Sequence, residues 1–261
     1  MTSPLIAIFV FVIITIIYFV IEYTVGKKNM STQKDSGSMP NNPGSMPLII
    51  YVVATLLSQL SSNLYLTKQL CGEINGKTAL IYTLLPWILI FGTFNLIILI
   101  FPGWLRPFSN TIGYFIVNFF GLDKTLRNIL KSNNGIGNQE LSQTLGKIHD
   151  NPSLLINEIS NDGFEDFWKK LKDDKLLASN LDNYKEKLKN LVKLKFMISK
   201  FIWYLLVGIL TISTAYNFII QTPCSLSVKE MEARHNEYEK MVADNKENAV
   251  ENDRIYLNTG S

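Results

Sequence analysis

The feature that most constrains this chain is the gathering of its apolar residues into blocks long enough to cross a bilayer. A spanning helix needs roughly 20 mostly apolar residues, because no water is present to satisfy an irregular backbone. Pro4 to Val25, Ala79 to Phe101 and Phe201 to Ile220 meet that length, and the only charge among them is Glu22, near the end of the first. The 47% hydrophobic content of the 261 residues is concentrated in these blocks, and the chain reads as an integral membrane protein. The first block reads as an uncleaved anchor rather than a secretory signal: "MTS" before it carries no charge, and Lys27 and Lys28 follow it.

A fourth block, Leu48 to Leu66, is interrupted by Thr55, Ser58, Gln59, Ser62 and Asn63. Their spacing of three and four residues places them in one polar stripe on a helix. The expected use is packing against a neighbouring span through interhelical hydrogen bonds. A wet cavity or pore, and an amphipathic helix lying on the bilayer surface, are the alternatives.

Lys27, Lys28 and Lys34 follow the first span, so the positive-inside rule puts the N-terminus outside and the linker 26–47 in the cytosol. That linker is rich in Gly, Ser, Asn and Pro and is expected to be flexible. The second and third spans then form a hairpin that returns the chain to the cytosol at Arg106. "FPGWLRPFSNTIGYFIVNFFG", Phe101 to Gly121, comes next. Its apolar part, Ile112 to Leu122, is about 11 residues, roughly half a crossing as a helix. It is expected to dip into the bilayer or lie at its surface, with Trp104 and Arg106 at headgroup level. Lys185, Lys187, Lys189, Lys193, Lys195 and Lys200 precede the last span and also favour a cytosolic location for the region before it.

This topology places Cys71 and Cys224 in one oxidising compartment, where a disulfide is permitted; two unpaired thiols are the alternative. The two cysteines and two histidines, His149 and His235, lack metal-ligand spacing.

Residues 123–200 read as a small basic domain of short amphipathic helices broken at "NNGIGN", "DNP" and "NDG". In "FEDFWKKLKDDKLL", Phe164, Phe167 and Trp168 share a face and Lys169, Lys170 and Lys172 surround it, a pattern suited to an anionic leaflet or a partner. A helical domain core is the ordinary alternative for the same aromatics. From Lys185 onward nothing breaks the helical pattern before the last span, so one long helix is expected. The tail 221–261 is acidic and carries a narrow seam, Val228, Met231, His235, Tyr238 and Val242, that would suit a partner helix or an oligomer.

No phosphate-cradling glycine loop, zinc-protease helix, nucleophile elbow or carboxylate array is present, and no span carries a central charge. Neither an enzyme, a cofactor nor a nucleic-acid partner is expected. At "FPGWLRPFSNTIGYFIVNFFG" and "TPCSLSVKEMEARHNEYE" the chain resembles membrane proteins of large nucleocytoplasmic DNA viruses of algae and protists. The resemblance implies a structural component of a virion's internal membrane, derived from host endoplasmic reticulum, whose partners are capsid or other membrane proteins.

The expected fold is all-α and polytopic: an anchor (1–25), the linker (26–47), a transmembrane hairpin plus a re-entrant or interfacial segment (48–122), a helical cytosolic domain (123–200), a final span (201–220) and the tail. The expected role is a membrane scaffold joining bilayer to protein layer. A channel or membrane-permeabilising protein lined by the polar stripe is the alternative.

Overall fold

The structure is a computed structural model that describes residues 4–32, 45–130, 139–159, 163–174, 176–177, 182–224 and 228–257. Part of the linker (33–44) and the turn "NNGIGN" lie outside the described residues. The chain divides into two units, residues 1–219 and 220–261. Among the described residues the fold is helical, and the one β-type pairing is an antiparallel bridge between Leu130 and Leu177.

Among the described residues, four helices are long and apolar enough to cross a membrane. The first two are α1, Pro4–Thr32, and α2, Ser45–Cys71. The third begins as α3, Gly76–Pro86, whose first turn is capped by the Asn75 side chain accepting from the Thr78 N–H at 3.0 Å. Pro86 removes a backbone donor, and the helix responds by widening into a π turn over Trp87–Gly92 before it resumes as α4, Thr93–Ile100. The fourth spanning helix belongs to α11, Asp182–Gln221, a single run of 40 residues that matches the long helix expected from the unbroken pattern. Only 22–28% of the apolar window in each of the first three is buried, so most of that surface points outward, as lipid exposure requires.

Side-chain contacts fix an up-down arrangement. Along α1 and α11, Phe11 meets Gly208, Phe19 meets Tyr204 and Phe201, and Glu22 meets Lys200, so the two run antiparallel. Tyr82 of α3 lies 5.6 Å from Phe218 and Phe94 of α4 lies 6.1 Å from Trp203, which makes α3 and α4 antiparallel to α11 as well. The bundle therefore has a lysine end, with Lys200 and the close of α4, and a cysteine end, where α2 finishes at Cys71. Its centre is aromatic: Phe11, Tyr18, Tyr51, Trp87, Phe91 and Tyr204 pack together, with the Tyr18 and Tyr51 rings stacked at 4.6 Å. A Cβ at Gly208 would overlap the Phe11 ring, so only glycine admits this approach of α1 to α11.

After Phe101 the helix breaks. Pro102–Leu105 forms one 3-10 turn, Arg106–Phe108 a single α turn (α5), Ser109–Gly113 a π turn and Tyr114–Phe119 a short helix, α6. Along this stretch the chain packs against progressively earlier residues of α11. Phe108 packs on Trp203, Gly113 on the backbone of Lys195, and Val117 into a cluster with Leu188 and Val192. The segment thus keeps the heading of α4 and tracks α11 past the lysine end. A Cβ on Gly113 would sit 2.8 Å from the Lys195 carbonyl oxygen, so the close approach requires glycine.

The core of the helical domain already includes Val117, and Tyr114 packs against it, so α6 belongs to that domain. Its other elements are α7, Leu122–Ile129, α8, Gln139–Asp150, α9, Ser153–Ile156, and α10, Phe164–Asp173. Leu126, Ile129, Ile156 and Phe164 close on Leu188 and Leu191 of α11. The first half of α11 is therefore the spine of the domain, and the same helix is long and apolar enough to cross a membrane. The second unit contains α12, Val228–Leu257, in which His235 Nε2 lies 3.3 Å from Glu239; Met231 and Tyr238 of the expected seam are exposed.

Candidate functional site

Three polar sites are built into the first unit, and they differ in charge. The first is the stripe on α2. Thr55, Gln59 and Asn63 are buried. Gln59 donates to Asn63 Oδ1 at 3.1 Å, and Asn63 donates to the Thr83 hydroxyl of α3 at 2.8 Å. Thr83 in turn donates to the Ala79 carbonyl, so the chain of neutral groups ends on the backbone. This is the geometry of interhelical packing. Ser58 and Ser62 are half-buried and, with Gln59, Asn63 and Tyr216, line a cavity of about 290 Å³ beside the start of α1. Towards the lysine end the aromatic core fills the bundle.

The second site is at the lysine end. Lys200 Nζ lies 3.1 Å from Glu22 Oε1 and stands over the rings of Phe19 and Tyr204 at 6.0 and 5.8 Å. Both partners are partly shielded, so the pair clamps α1 to α11 more firmly than an open surface ion pair does. Glu22 is thus held by α11.

The third site is Lys195, only 2% exposed. Its ammonium donates to Asn157 Oδ1 at 2.8 Å, and to Asn110 Oδ1 and the Ile156 carbonyl at 3.0 Å each. One cation thereby ties the π turn before α6 and the end of α9 to α11. Read as one of six lysines in a basic cluster, it is indistinguishable from its neighbours. The overlooked signal is its spacing: Leu188, Leu191, Val192 and Lys195 recur at three to four residues, which puts the lysine on the apolar face.

Of the two readings of the α10 aromatics, the packing follows the domain core. Phe164 and Trp168 are buried in the domain core and Phe167 packs against them, because the apolar side of α10 meets α11 rather than a leaflet or partner. Lys169, Lys170 and Lys172 remain exposed. Beside them, Lys185 and Lys189 bind the Glu165 carboxylate at 2.7 and 2.6 Å, and hold it below the ordinary carboxylate range. Cys71 and Cys224 are both disulfide-bonded, and neither is a free thiol. Among the described residues no group of three or more His, Cys, Asp or Glu side chains is placed to hold a metal. The side chain of His149 lies outside the described residues.

No family model matches this chain, and no curated protein or solved structure shows significant similarity to it.

Proposed function

We propose that the chain is a non-enzymatic membrane scaffold whose spans fix a basic helical domain rigidly against one face of a bilayer, where it engages a protein layer. The observation that carries this reading is α11: one 40-residue helix is both a spanning segment and the spine of the domain. No hinge separates the two, so a force on the domain is transmitted to the bundle. Gly113, Lys195 and the Glu22–Lys200 pair add lateral ties at the same level.

In this reading the lysine end faces the cytosol, which the lysine cluster of α11 favours. The cysteine end faces an oxidising compartment, which suits the oxidised state of both thiols. The stretch Pro102–Phe119 leaves the bilayer alongside α11, with Trp104 and Arg106 at the headgroups. The resemblance to membrane proteins of large DNA viruses supplies the setting, an internal membrane drawn from host endoplasmic reticulum with capsid proteins as partners. The bonds of Gln59 and Asn63 to each other and to Thr83 support packing between spans over the alternative, a channel lined by the stripe.

Protease protection in sealed microsomes tests the orientation. Cleavage around Trp168, with the peptide after Cys224 protected, is expected; the opposite pattern overturns it. Co-sedimentation with capsid proteins after mild detergent treatment of purified particles is the expected result for the viral setting. A protein confined to host membranes removes that setting.

A further inference from the structure

A cleft of about 300 Å³ opens beside Lys195, between the Pro102–Gly113 stretch, the turn after α9 and α11. Arg106, Ser109, Asn110, Asn157, Glu158 and Lys195 contribute its polar lining. We propose that this cleft binds a phosphate ester, and that the ester is the headgroup phosphate of a membrane lipid.

Charge is the first ground. Lys195 is nearly inaccessible, yet its three hydrogen bonds all go to neutral oxygens, and it makes no salt bridge among the described residues. Hydrogen bonding is satisfied, and the opposing charge of Glu158 acts on Lys195 through space without an ion pair, so the buried cation has room for a closer anion. Arg106 adds a second positive charge at the exposed side of the cleft, and Glu158 supplies the single negative one. The cleft is therefore cationic by one charge.

Donor orientation is the second ground. Lys195 can only donate, so the Asn110 and Asn157 side chains must present Oδ1 to it. Each amide then has its Nδ2 group, with two N–H donors, available among the described residues for another acceptor. With the Arg106 guanidinium and the Ser109 hydroxyl, the cleft offers a set of donors suited to tetrahedral oxygens.

Position supplies the third ground and the choice of a lipid. Trp104 and Trp203 pack at 6.4 Å where α4 ends and the spans give way to the domain. Tryptophans gather at the headgroup level of bilayers, and basic pockets between helices at that depth receive anionic headgroups. This last step rests on the membrane reading above; the cationic cleft itself does not.

The test uses the full chain, purified in a zwitterionic detergent and examined by native mass spectrometry with phosphatidic acid, phosphatidylcholine or glycerol 3-phosphate added. One phosphatidic acid per chain is expected to be retained in preference to phosphatidylcholine. Arg106→Gln, an exposed position where the fold should persist, is expected to weaken retention about ten-fold, the loss of one charge-assisted contact. Glu158→Gln should strengthen it. Competition by glycerol 3-phosphate at similar concentration would support the phosphate site and assign it to a soluble ester. Equal retention of the two lipids, or retention unchanged in Arg106→Gln, overturns the proposal. These outcomes do not depend on where the protein resides, so they are separable from failure of the scaffold reading.

Discussion

The α2 stripe and Lys195 solve the same problem in opposite ways. Both bury polar atoms between helices, yet Gln59, Asn63 and Thr83 form a neutral chain that ends on a backbone carbonyl, whereas Lys195 brings a formal charge among neutral oxygens. A neutral chain adds little energy in a bilayer, because its members find other partners when the helices separate. A buried lysine has no such substitute away from water. The stripe therefore sets how spans fit together, while Lys195 decides whether the domain and the span hold one another.

That difference orders the expected effects of substitution. Lys195→Met keeps the stem but orphans three oxygens on two elements, and should cost about 3 kcal/mol. It is expected to expose the 153–159 region to protease while leaving the bundle intact, as read by limited proteolysis with mass spectrometry. If that region stays protected, Lys195 is not the tie between domain and span. Gly113→Ala attacks the same junction from the backbone: the new Cβ meets the Lys195 carbonyl, and overpacking of this kind costs about 1–3 kcal/mol. Thermal unfolding in detergent should show a lower midpoint, whereas Gly103→Ala, with open space around it, serves as the control.

On the stripe, Asn63→Leu should cost only about 1 kcal/mol, and Gln59→Leu added to it should cost less than the sum of the two singles, because the pair is coupled. A loss on Asn63→Leu as large as that of Lys195→Met would erase the distinction between the two sites.

How much of this was legible in the sequence follows the same division. The four long apolar helices were readable because about 20 apolar residues in a row have few soluble uses, and the continuity of α11 because nothing between Asp182 and Gln221 breaks a helix. The path of Phe108–Phe119 was not. A short apolar run looks the same whether it faces lipid or packs on a domain; what decides is the approach of Gly113 to Lys195 and of Val117 to Leu188, contacts with residues far along the chain. The aromatics of α10 show the same limit. Periodicity showed that Phe164 and Trp168 share a side and left a domain core and a surface face both open, but not that α11 would be the element to cover it. Lys195 was hidden for a different reason: its charge grouped it with neighbouring lysines, while its helical phase grouped it with Leu188 and Val192.

The smallest effect comes from the domain's surface, where Glu165 bridges Lys185 and Lys189. The hydrogen bonds from both lysines depress its carboxyl below the ordinary value of 4.5, so the folded state binds the proton less readily than the unfolded chain. The stabilisation is therefore complete above the ordinary carboxylate pKa and is lost as pH falls through the depressed one. The carboxylate is more than half exposed, and solvent screening keeps the contribution below about 1 kcal/mol. Glu165→Gln should lower the thermal midpoint slightly at pH 7, and the gap from the unmodified chain should close on acidification below the usual carboxylate range. Added salt should narrow the same gap while leaving the Lys195→Met deficit unchanged, since screening acts on exposed pairs and not on hydrogen bonds to neutral oxygens in the interior. A gap that persisted undiminished in strong salt would mean that Glu165 supports α10 by packing rather than by charge.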